Sequence, residues 1–260
     1  MVAQVRLATW NINSLKARLF RVEAWLEDVQ PDIVCLQETK LADGAFPAMT
    51  FQALGYESVH HGEGRWNGVA ILSRVGLEDP VFGFGPDDDD PEARLVWATC
   101  GDIRVASAYV PNGRSLDDDH YTYKLAWLAK LRAQLDEQGT ASGQLVVAGD
   151  YNIAPTDDDV YNPAKFVDST HTSPAERAAL DELKDWGLVD AFRLLQPEPK
   201  IYSWWDYRAG DFHQHRGMRI DLVLATDAVA QRATFATVDR QARKGEKPSD
   251  HAPVIIDLAD

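Results

Sequence analysis

Short apolar runs recur along the chain between more polar stretches. Residues 33–36 and 145–148 are continuous apolar runs with β-branched members, and Pro or Gly residues bound both of them. Runs of this length and bounding predict buried strands. Apolar and alternating patterns predict further strands over residues 5–13, 56–60, 68–72, 95–99, 103–109, 219–225 and 254–258.

Two other stretches place apolar residues at spacings of three and four, the period of an amphipathic helix. The first has its apolar face at Leu15, Leu19, Val22, Leu26 and Val29. Ser14 is its predicted N-cap, and Pro31 stops it. The second has its apolar face at Leu125, Leu128, Leu131 and Leu135. We expect this second helix to end at Gly139.

A third helix is predicted from its start signal. Ser173 is a typical N-cap, Pro174 suits the first helical position, and Glu176 is placed to complete a capping box. We expect this helix to end near Gly187.

The balance of these elements bears on the fold class. Many strands and few helices favour two packed sheets with helices outside, rather than a doubly wound parallel sheet. Gly101 and Asp102 separate two of the strands and predict a two-residue hairpin turn. No stretch rich in Pro or Ser divides the chain, so we expect residues 1–260 to form one domain.

Composition narrows the class of protein. The apolar content of 45% is ordinary for a globular protein, and no apolar run approaches the ~18 residues of a membrane span. The first residues enter a strand-like pattern directly, without the charged start and cleavage site of a signal peptide. Cys35 and Cys100 lie in apolar or alternating runs, with no disulfide or metal spacing. We therefore expect two buried free thiols in a cytoplasmic protein.

The net charge of −15 argues at first against a nucleic-acid partner, which usually needs a basic surface. The acidic residues are clustered, however. Residues 87–90, 117–119 and 157–159 are runs of Asp in loop-like contexts, and we expect them to be solvated surface. A locally basic groove is therefore compatible with the overall charge. Its candidate residues are Arg208, Arg216, Arg219, Arg240, Arg243, Lys244 and Lys247.

Polar side chains follow several predicted strands. Asp150 and Asn152 come directly after the apolar run 145–148, and positions i and i+2 of an extended chain face one side. Taken alone, this pair is more typical of turn-forming residues than of a site. The other strand-end residues are Asn11, Glu38, Tyr109, Asp221, Asp250 and His251. Their number favours a shared site over separate turns.

The residue types at these strand ends suit one kind of chemistry. Glu38, Asp250 and Asn11 offer hard oxygen ligands of the kind that Mg²⁺ or Mn²⁺ prefers. Asp250 stands beside His251, and Asp221 is available to orient the imidazole, which is a general acid/base or phosphate-binding arrangement. The sequence therefore predicts metal-assisted hydrolysis of a phosphate ester.

Two pairs of neighbours need separate interpretation. His60 and His61 are adjacent, but neighbours on a strand face opposite ways, so we expect them to be loop residues. The scarcity of His and the absence of Cys spacing argue against a structural zinc site. Trp204 and Trp205 cannot both face one core, so we expect one of them to face a groove.

Six short motifs carry a family resemblance. They are Trp-Asn-Ile-Asn at 10–13, Leu-Gln-Glu-Thr-Lys at 36–40, Tyr-Val-Pro-Asn-Gly at 109–113, Gly-Asp-Tyr-Asn at 149–152, Arg-Ile-Asp at 219–221 and Ser-Asp-His-Ala-Pro at 249–253. With these motifs the chain resembles exonuclease III, the bacterial AP-endonuclease branch of the endonuclease/exonuclease/phosphatase superfamily. The resemblance implies a four-layer α/β sandwich, with two mixed β-sheets face to face and helices outside.

The resemblance also implies an activity and its partners. The expected protein is a Mg²⁺-dependent DNA repair nuclease, for which Mn²⁺ is an expected substitute. It would hydrolyse DNA phosphodiesters 5′ to abasic sites and remove 3′ nucleotides or 3′-blocking groups from duplex DNA. It would act as a monomer and away from membranes.

Metal ligands are implied in the same way. Glu38 is expected to be the main Mg²⁺ ligand, helped by Asn11 and Asp250. The resemblance leaves open a second ion, whose ligands would be Asp150, Asn152 and His251.

Catalytic roles also follow from the matching positions. Asp150 is expected to orient and deprotonate the attacking water, and Asn152 to steady the phosphoryl oxygens in the transition state. His251, oriented by Asp221, would hydrogen-bond to the scissile phosphate. Tyr109 would contact the phosphate and assist the leaving group. Fixed donors and a cation suit a transition state in which charge grows on these oxygens.

Substrate-binding residues are the last group that the resemblance implies. Trp204, Met218 and Ile220 are expected to be the walls of a pocket for an abasic sugar. Arg94 is expected to contact DNA, and Asn112 is expected to bind the substrate.

Two alternatives remain open at this stage. One is an enzyme of the same superfamily that hydrolyses a phosphodiester other than DNA, with the same metal and acid/base residues. The other is a catalytically inactive DNA-binding module, which the presence of all the expected acidic residues and His251 disfavours.

Overall fold

The computed structural model describes residues 4–86 and 90–259. Its strands are β1 (Gln4–Asn11), β2 (Ile33–Gln37), β3 (Glu57–His61), β4 (Val69–Ser73), β5 (Glu78–Phe82), β6 (Leu95–Cys100), β7 (Ile103–Tyr109), β8 (Leu145–Asp150), β9 (Leu188–Asp190), β10 (Asp221–Thr226), β11 (Ala233–Val238) and β12 (Val254–Ala259). Its α-helices are α1 (Leu15–Val29), α2 (Ala48–Ala53), α3 (Asp119–Gln138), α4 (Pro174–Asp185), α5 (Ala191–Leu195) and α6 (Asp227–Ala230).

The strands form two six-stranded mixed sheets. Their orders are β11-β12-β1-β2-β4-β3 and β5-β6-β7-β8-β10-β9. In each sheet one central pair is parallel, β1 with β2 and β7 with β8, and the other neighbours are antiparallel.

Alternate residues of each sheet face two different apolar layers. Cys35 of β2 and Val105 of β7 belong to the core between the sheets. Trp25 of α1 packs against the outer face of the first sheet, and Trp127 of α3 and Leu180 of α4 pack against the outer face of the second. The predicted four-layer α/β sandwich is therefore confirmed.

Helix α1 begins at the predicted residue but is not capped as predicted. The side chain of Ser14 accepts no capping hydrogen bond. Instead, the main-chain N–H groups of Ser14 and Leu15 donate to the carbonyls of Glu38 and Thr39, at 2.7 and 2.9 Å. The prediction was wrong because the loop after β2 supplies the acceptors, which ties the start of α1 to Glu38.

The other local signals are largely confirmed. Cys100 pairs with Ile103 across the predicted two-residue turn. Ser173 and Glu176 form the predicted capping box at the start of α4. The N–H of Gly139 donates to the carbonyl of Leu135 at 3.2 Å, just past the end of α3. Predicted strand limits differ from the observed ones by at most two residues.

Two surface predictions are wrong. His60 and His61 lie in β3, in line with the strand predicted over residues 56–60 and against their interpretation as loop residues. His60 is held between Asp43 and Thr39, at 2.9 and 2.8 Å. Asp159 is buried rather than solvated, because Arg193 and Arg219 bind its carboxylate. Of the other acidic runs, residues 87–89 lie outside the described residues.

The remaining composition-based predictions concern thiols and membranes. Cys35 and Cys100 are buried and free, as predicted. Within residues 4–86 and 90–259, every helix is too short or too polar to cross a membrane.

Candidate active site

Strand register brings the polar strand ends together. Asp150, the last residue of β8, pairs with Tyr109 of parallel β7 and with Asp221 of antiparallel β10. In the first sheet, Asn11 ends β1, and Glu38 directly follows the neighbouring strand β2. Because the sheets pack face to face, these ends meet at one rim of the sandwich.

Asn11 joins carboxylates that come from the two sheets. Its Nδ2 donates to Glu38 Oε1 at 2.8 Å and to Asp150 Oδ2 at 2.9 Å. Its Oδ1 accepts the N–H of Asn13 at 3.0 Å. Asn11 thus presents donors to the site, while its amide oxygen is engaged elsewhere. Asn11 therefore connects the two carboxylates, and its role as a metal ligand stays a prediction.

His251 is held between two buried carboxylates. Its Nδ1 donates to Asp221 Oδ2 at 2.9 Å, and its Nε2 lies 3.7 Å from Asp150 Oδ2. Burial alone would lower the pKa of His251, but the attraction of Asp221 and Asp150 outweighs burial and raises that pKa to about 10. The imidazole is therefore a fixed, charged donor at neutral pH.

Two other groups in the site also have shifted pKa values. Burial raises the pKa of Asp150 to about 7, although the positive charge of His251 opposes the shift. A carboxyl group whose pKa lies near neutral pH is suited to exchanging a proton. Burial raises the pKa of Tyr109 well above its ordinary value, so its hydroxyl stays protonated and can donate.

One group of side chains among the described residues has the spacing of a metal site. Glu38, Asp150 and His251 each offer a ligand atom, and these atoms lie within 4.8 Å of one another. Two carboxylates suit a hard divalent cation, so the donor set fits Mg²⁺ or Mn²⁺. The second ion, with Asp150, Asn152 and His251 as its ligands, stays a prediction.

Asp250 is not part of that group of three. Its Oδ1 accepts the Asn13 amide at 3.0 Å, and its Oδ2 accepts Trp204 Nε1 at 3.1 Å. Burial opposes its ionisation, but His251 and these donors outweigh burial and lower the pKa of Asp250. Asp250 therefore adds a charged carboxylate beside the site, and its role as a metal ligand stays a prediction.

Asn152 reaches the site by a different backbone path from the one predicted. Strand β8 ends at Asp150, and Asn152 has a left-handed φ of 50°, so the two residues do not share an extended segment. The N–H of Asn152 donates to Asp150 Oδ1 at 2.9 Å, and its Nδ2 donates to the Val110 carbonyl at 3.0 Å. The predicted proximity of Asp150 and Asn152 is therefore correct, but a tight turn produces it.

Sequence reasoning missed two site residues. Lys40 Nζ lies 2.8 Å from Glu38 Oε2 and donates to Asn13 Oδ1 at 2.7 Å. Lys40 and Asn13 end the motifs at 36–40 and 10–13, two positions after Glu38 and Asn11 respectively. Strand alternation was the only sequence pattern that could have indicated these two residues. The turns after β1 and β2 determine which side chains reach the rim.

The predicted pocket residues lie together in one apolar cluster. Trp204, Met218 and Ile220 pack in it, and the main chains of Trp204 and Met218 exchange hydrogen bonds at 2.9 and 3.0 Å. Met218 is 3% exposed and Ile220 is 1% exposed, whereas Trp204 is only half-buried. Trp204 is thus the member that offers surface to a ligand. Trp205 is fully buried, as expected for one of the two tryptophans.

Arg94 and Asn112 flank the site on the side of β7. The Arg94 guanidinium lies 4.6 Å from the centre of the Tyr109 ring and pairs with Glu92. It borders a cleft of about 530 Å³ that also contains Trp66. Asn112 is exposed, and its Nδ2 donates to Asn152 Oδ1 at 3.0 Å.

The predicted basic groove keeps only part of its residues. Arg219 is buried and binds Asp159 and Asp190, each at 2.7 Å, so it cannot line a groove. Arg243 is also buried and donates to the Ser249 carbonyl. Acidic neighbours bind Arg208 and Arg216. The residues that remain exposed without such an ion pair in the structure are Arg240, Lys244 and Lys247.

Comparison with known proteins places this geometry in context. A model of the endonuclease/exonuclease/phosphatase family matches residues 8–251. Exodeoxyribonuclease III of Haemophilus influenzae is 36% identical over 262 residues, which cover 96% of this chain and 98% of that protein.

Two solved structures are similar over nearly their whole length. An AP endonuclease from Archaeoglobus fulgidus has a TM-score of 0.94 and 37% identity, covering 98% of this chain and 99% of its own. A 3′ phosphatase from Neisseria, bound to a product DNA hairpin, has a TM-score of 0.93 and 40% identity, covering 98% of this chain and 100% of its own.

Proposed function

Since the chain belongs to the endonuclease/exonuclease/phosphatase family, we propose that it is a DNA repair nuclease with Mg²⁺ as its metal. It cleaves duplex DNA 5′ to abasic sites and removes 3′ nucleotides or 3′-blocking groups. The relatives named for exonuclease, AP-endonuclease and 3′-phosphatase activity support this range of substrates. The observation that carries the proposal is the meeting of Glu38, Asp150 and His251 at one rim, within 4.8 Å of one another.

Glu38 would be the main metal ligand, helped by Asn11 and Asp250, and the carboxylate of Asp150 faces the same space. When bound, Mg²⁺ would supply a positive charge that stabilises the growing charge on the phosphoryl and leaving oxygens. Such a cation would also favour the ionised form of Asp150, whose pKa burial raises to about 7. The ammonium group of Lys40 pairs with Glu38 in the structure. A bound metal ion would displace this ammonium group from the Glu38 carboxylate.

The chain's own residues supply the remaining steps. Asp150 orients a water molecule and takes its proton as the water oxygen attacks phosphorus, and the bond between phosphorus and the leaving oxygen breaks. His251, charged and fixed by Asp221, donates from Nε2 to a non-bridging phosphoryl oxygen. The Tyr109 hydroxyl, kept protonated by burial, donates toward the leaving oxygen. Donors set in place before the reaction need no reorganisation when charge develops.

Trp204 supports the choice of an abasic sugar. Its half-buried ring lies against Met218 and Ile220, and its Nε1 is anchored to Asp250. A sugar without a base can leave the duplex more easily than an intact nucleotide, which must first be unstacked and unpaired.

End-labelled duplexes test the proposal. Three substrates are compared in Mg²⁺ and in EDTA: an intact duplex, one with a central abasic analogue and one with a 3′-phosphate. We expect metal-dependent cleavage at the abasic analogue and release of the 3′-phosphate, both abolished by EDTA. An inositol phosphate serves as the non-DNA substrate. Preferential hydrolysis of that compound would instead favour the superfamily enzyme of different specificity.

A further inference from the structure

A buried ion pair lies behind the site and takes no part in the reaction described above. Lys124 of α3 and Glu176 of α4 are both fully buried, and Lys124 Nζ lies 2.5 Å from Glu176 Oε1. Removing two charges from water is costly, and apolar side chains of similar volume often stabilise a fold equally well. The contacts that the pair makes therefore need an explanation beyond stability.

The ammonium group of Lys124 binds main-chain carbonyls of two site residues. It donates to the carbonyl of Asn152 at 2.7 Å and to that of Asn112 at 3.3 Å. Together with Glu176, these acceptors use all three donors of the ammonium group. The side chains of Asn112 and Asn152 also hydrogen-bond to each other at 3.0 Å. Lys124 thus joins the turn after β7 to the turn after β8.

Glu176 holds the ammonium group of Lys124 in place, because other donors fix the Glu176 carboxylate. Its carboxylate accepts the Thr170 hydroxyl at 2.8 Å, the N–H of His171 at 3.0 Å, and the N–H and hydroxyl of Ser173 at 3.1 and 2.6 Å. Burial opposes its ionisation, but Lys124 and these donors lower the pKa of Glu176. The carboxylate is therefore a charged anchor that four donors hold even without Lys124.

The capping of α4 does not account for the lysine. Ser173 and Glu176 complete the capping box between themselves, with the Ser173 hydroxyl also accepting the N–H of Glu176 at 3.3 Å. Lys124 adds nothing to that cap. What it adds is a tie to Asn152, whose left-handed backbone, with a φ of 50°, places the residue against Asp150.

We propose that Lys124, held by Glu176, is a positioning residue for the nuclease reaction. It fixes the main chain of Asn152 and Asn112, so that the Asn152 amide stays where the phosphoryl oxygens develop charge. The inference rests on the proposed function, because it assigns Lys124 an effect on that reaction alone. A purely structural pair would stabilise the fold without affecting the rate of the chemical step.

Two variants separate these roles. Lys124→Met removes the donors but leaves Glu176 charged in the interior. Lys124→Met/Glu176→Gln removes both charges. It can be tested in place of Lys124→Met if that variant folds poorly. The control is Asp181→Asn/Lys184→Met, which removes an exposed ion pair, 3.0 Å long, from the same helix α4. Lys124→Arg keeps a charged donor and serves as the conservative replacement.

Release of 3′-phosphate from duplex DNA is measured for each variant well below its melting temperature. In the double variant we expect kcat to fall about 10- to 100-fold, as for other residues that hold a catalytic group in place. KM should change little, because Lys124 does not touch DNA. Lys124→Arg should recover part of kcat, and the control should match the wild type. Hydrogen exchange should rise locally over residues 109–114 and 150–154 in the double variant.

A folded double variant with wild-type kcat would overturn the inference, and so would a rise in KM alone. Wild-type protein without any activity on this substrate would contradict the proposed function, and the inference with it. An active wild type with an equally active double variant would contradict only the inference.

Discussion

His251 Nδ1 lies 2.9 Å from Asp221 Oδ2, and both side chains are buried. Asp221 thereby has the partner that a lone acid in an apolar strand requires. The hydrogen bond leaves one orientation for the imidazole, with Nε2 directed toward Asp150 at 3.7 Å. Asp221 of β10 thus sets the orientation in which His251, which precedes β12, faces the carboxylate of Asp150.

Replacing Asp221 by Asn should lower the pKa of His251 from about 10, because the largest stabilising charge is removed while burial remains. The ring signals of His251 in an NMR titration measure this directly. A raised pKa stabilises the wild-type fold below the unfolded value of ~6.5, and that stabilisation is lost as pH rises through about 10. The variant should show less of this alkaline loss. An unchanged pKa in the variant would contradict the assigned hydrogen bond.

Trp204→Ala should separate two activities if Trp204 faces an abasic sugar. Incision at an internal abasic analogue should fall sharply, whereas 3′-phosphate release, which needs no flipped internal sugar, should fall much less. Trp204→Phe is the matched control, because it keeps a flat ring but removes the hydrogen bond to Asp250. Equal loss of both activities in a well-folded Trp204→Ala protein would remove the pocket assignment.

Duplex affinity should fall as salt rises, because binding to phosphates releases counterions. Lys244→Ala/Lys247→Ala should weaken binding to intact and abasic duplexes about equally, since both lysines are exposed. The slope of log affinity against log salt should flatten by about 0.9 for each phosphate that the variant no longer neutralises. Fluorescence anisotropy measures it, with Lys184→Ala on α4 as the control. A slope unchanged in the double variant would show that these lysines do not bind DNA.

Asp159→Asn should lower the free energy of unfolding by about 3–5 kcal/mol, because it leaves Arg219 with one of its two buried carboxylate partners. Burial opposes ionisation of Asp159, but Arg219 and Arg193 lower its pKa. Its stabilisation is therefore present above the unfolded pKa of ~3.9 and lost as pH falls through the folded value. Denaturant melts at pH 7 and pH 3 should show a smaller difference in the variant than in the wild type.

The layers of the fold were predictable because its core strands are short, continuous apolar runs. β2 and β8 are buried on both faces, so their sequences carry no polar alternation that could suggest a surface strand. β5, with the sequence Glu-Asp-Pro-Val-Phe, was not predictable in this way. It is an exposed edge strand, so partners rather than composition decide its conformation.

The site was predictable as a set of strand ends, but its hydrogen bonds were not. Register across β7, β8 and β10 puts Tyr109, Asp150 and Asp221 side by side. No local pattern shows that Lys40 turns back toward Glu38, or that the Asn11 amide donates to Glu38. Those interactions depend on turns after the strands and on the distance between two sheets, which only the packed molecule determines.

The burial of basic residues such as Arg219 could not be predicted from the sequence for the same reason. The sequence suggested that Arg219 is a surface charge, yet two aspartates from distant segments bind it in the interior. Such ion pairs depend on long-range contacts between Asp159, Asp190 and Arg219. The basic groove therefore contains fewer of the candidate basic residues than the sequence suggested.

The central claim is that Asp150 serves the attacking water and Glu38 the metal at one shared site. Release of 3′-phosphate from a labelled duplex, measured over a Mg²⁺ titration from EDTA upward, tests it most directly. Asp150→Asn and Glu38→Gln should each remain folded and lose most activity, and raising Mg²⁺ should partly restore only Glu38→Gln. Near-wild-type release by Asp150→Asn, or release by the wild type that persists in EDTA, would contradict the account.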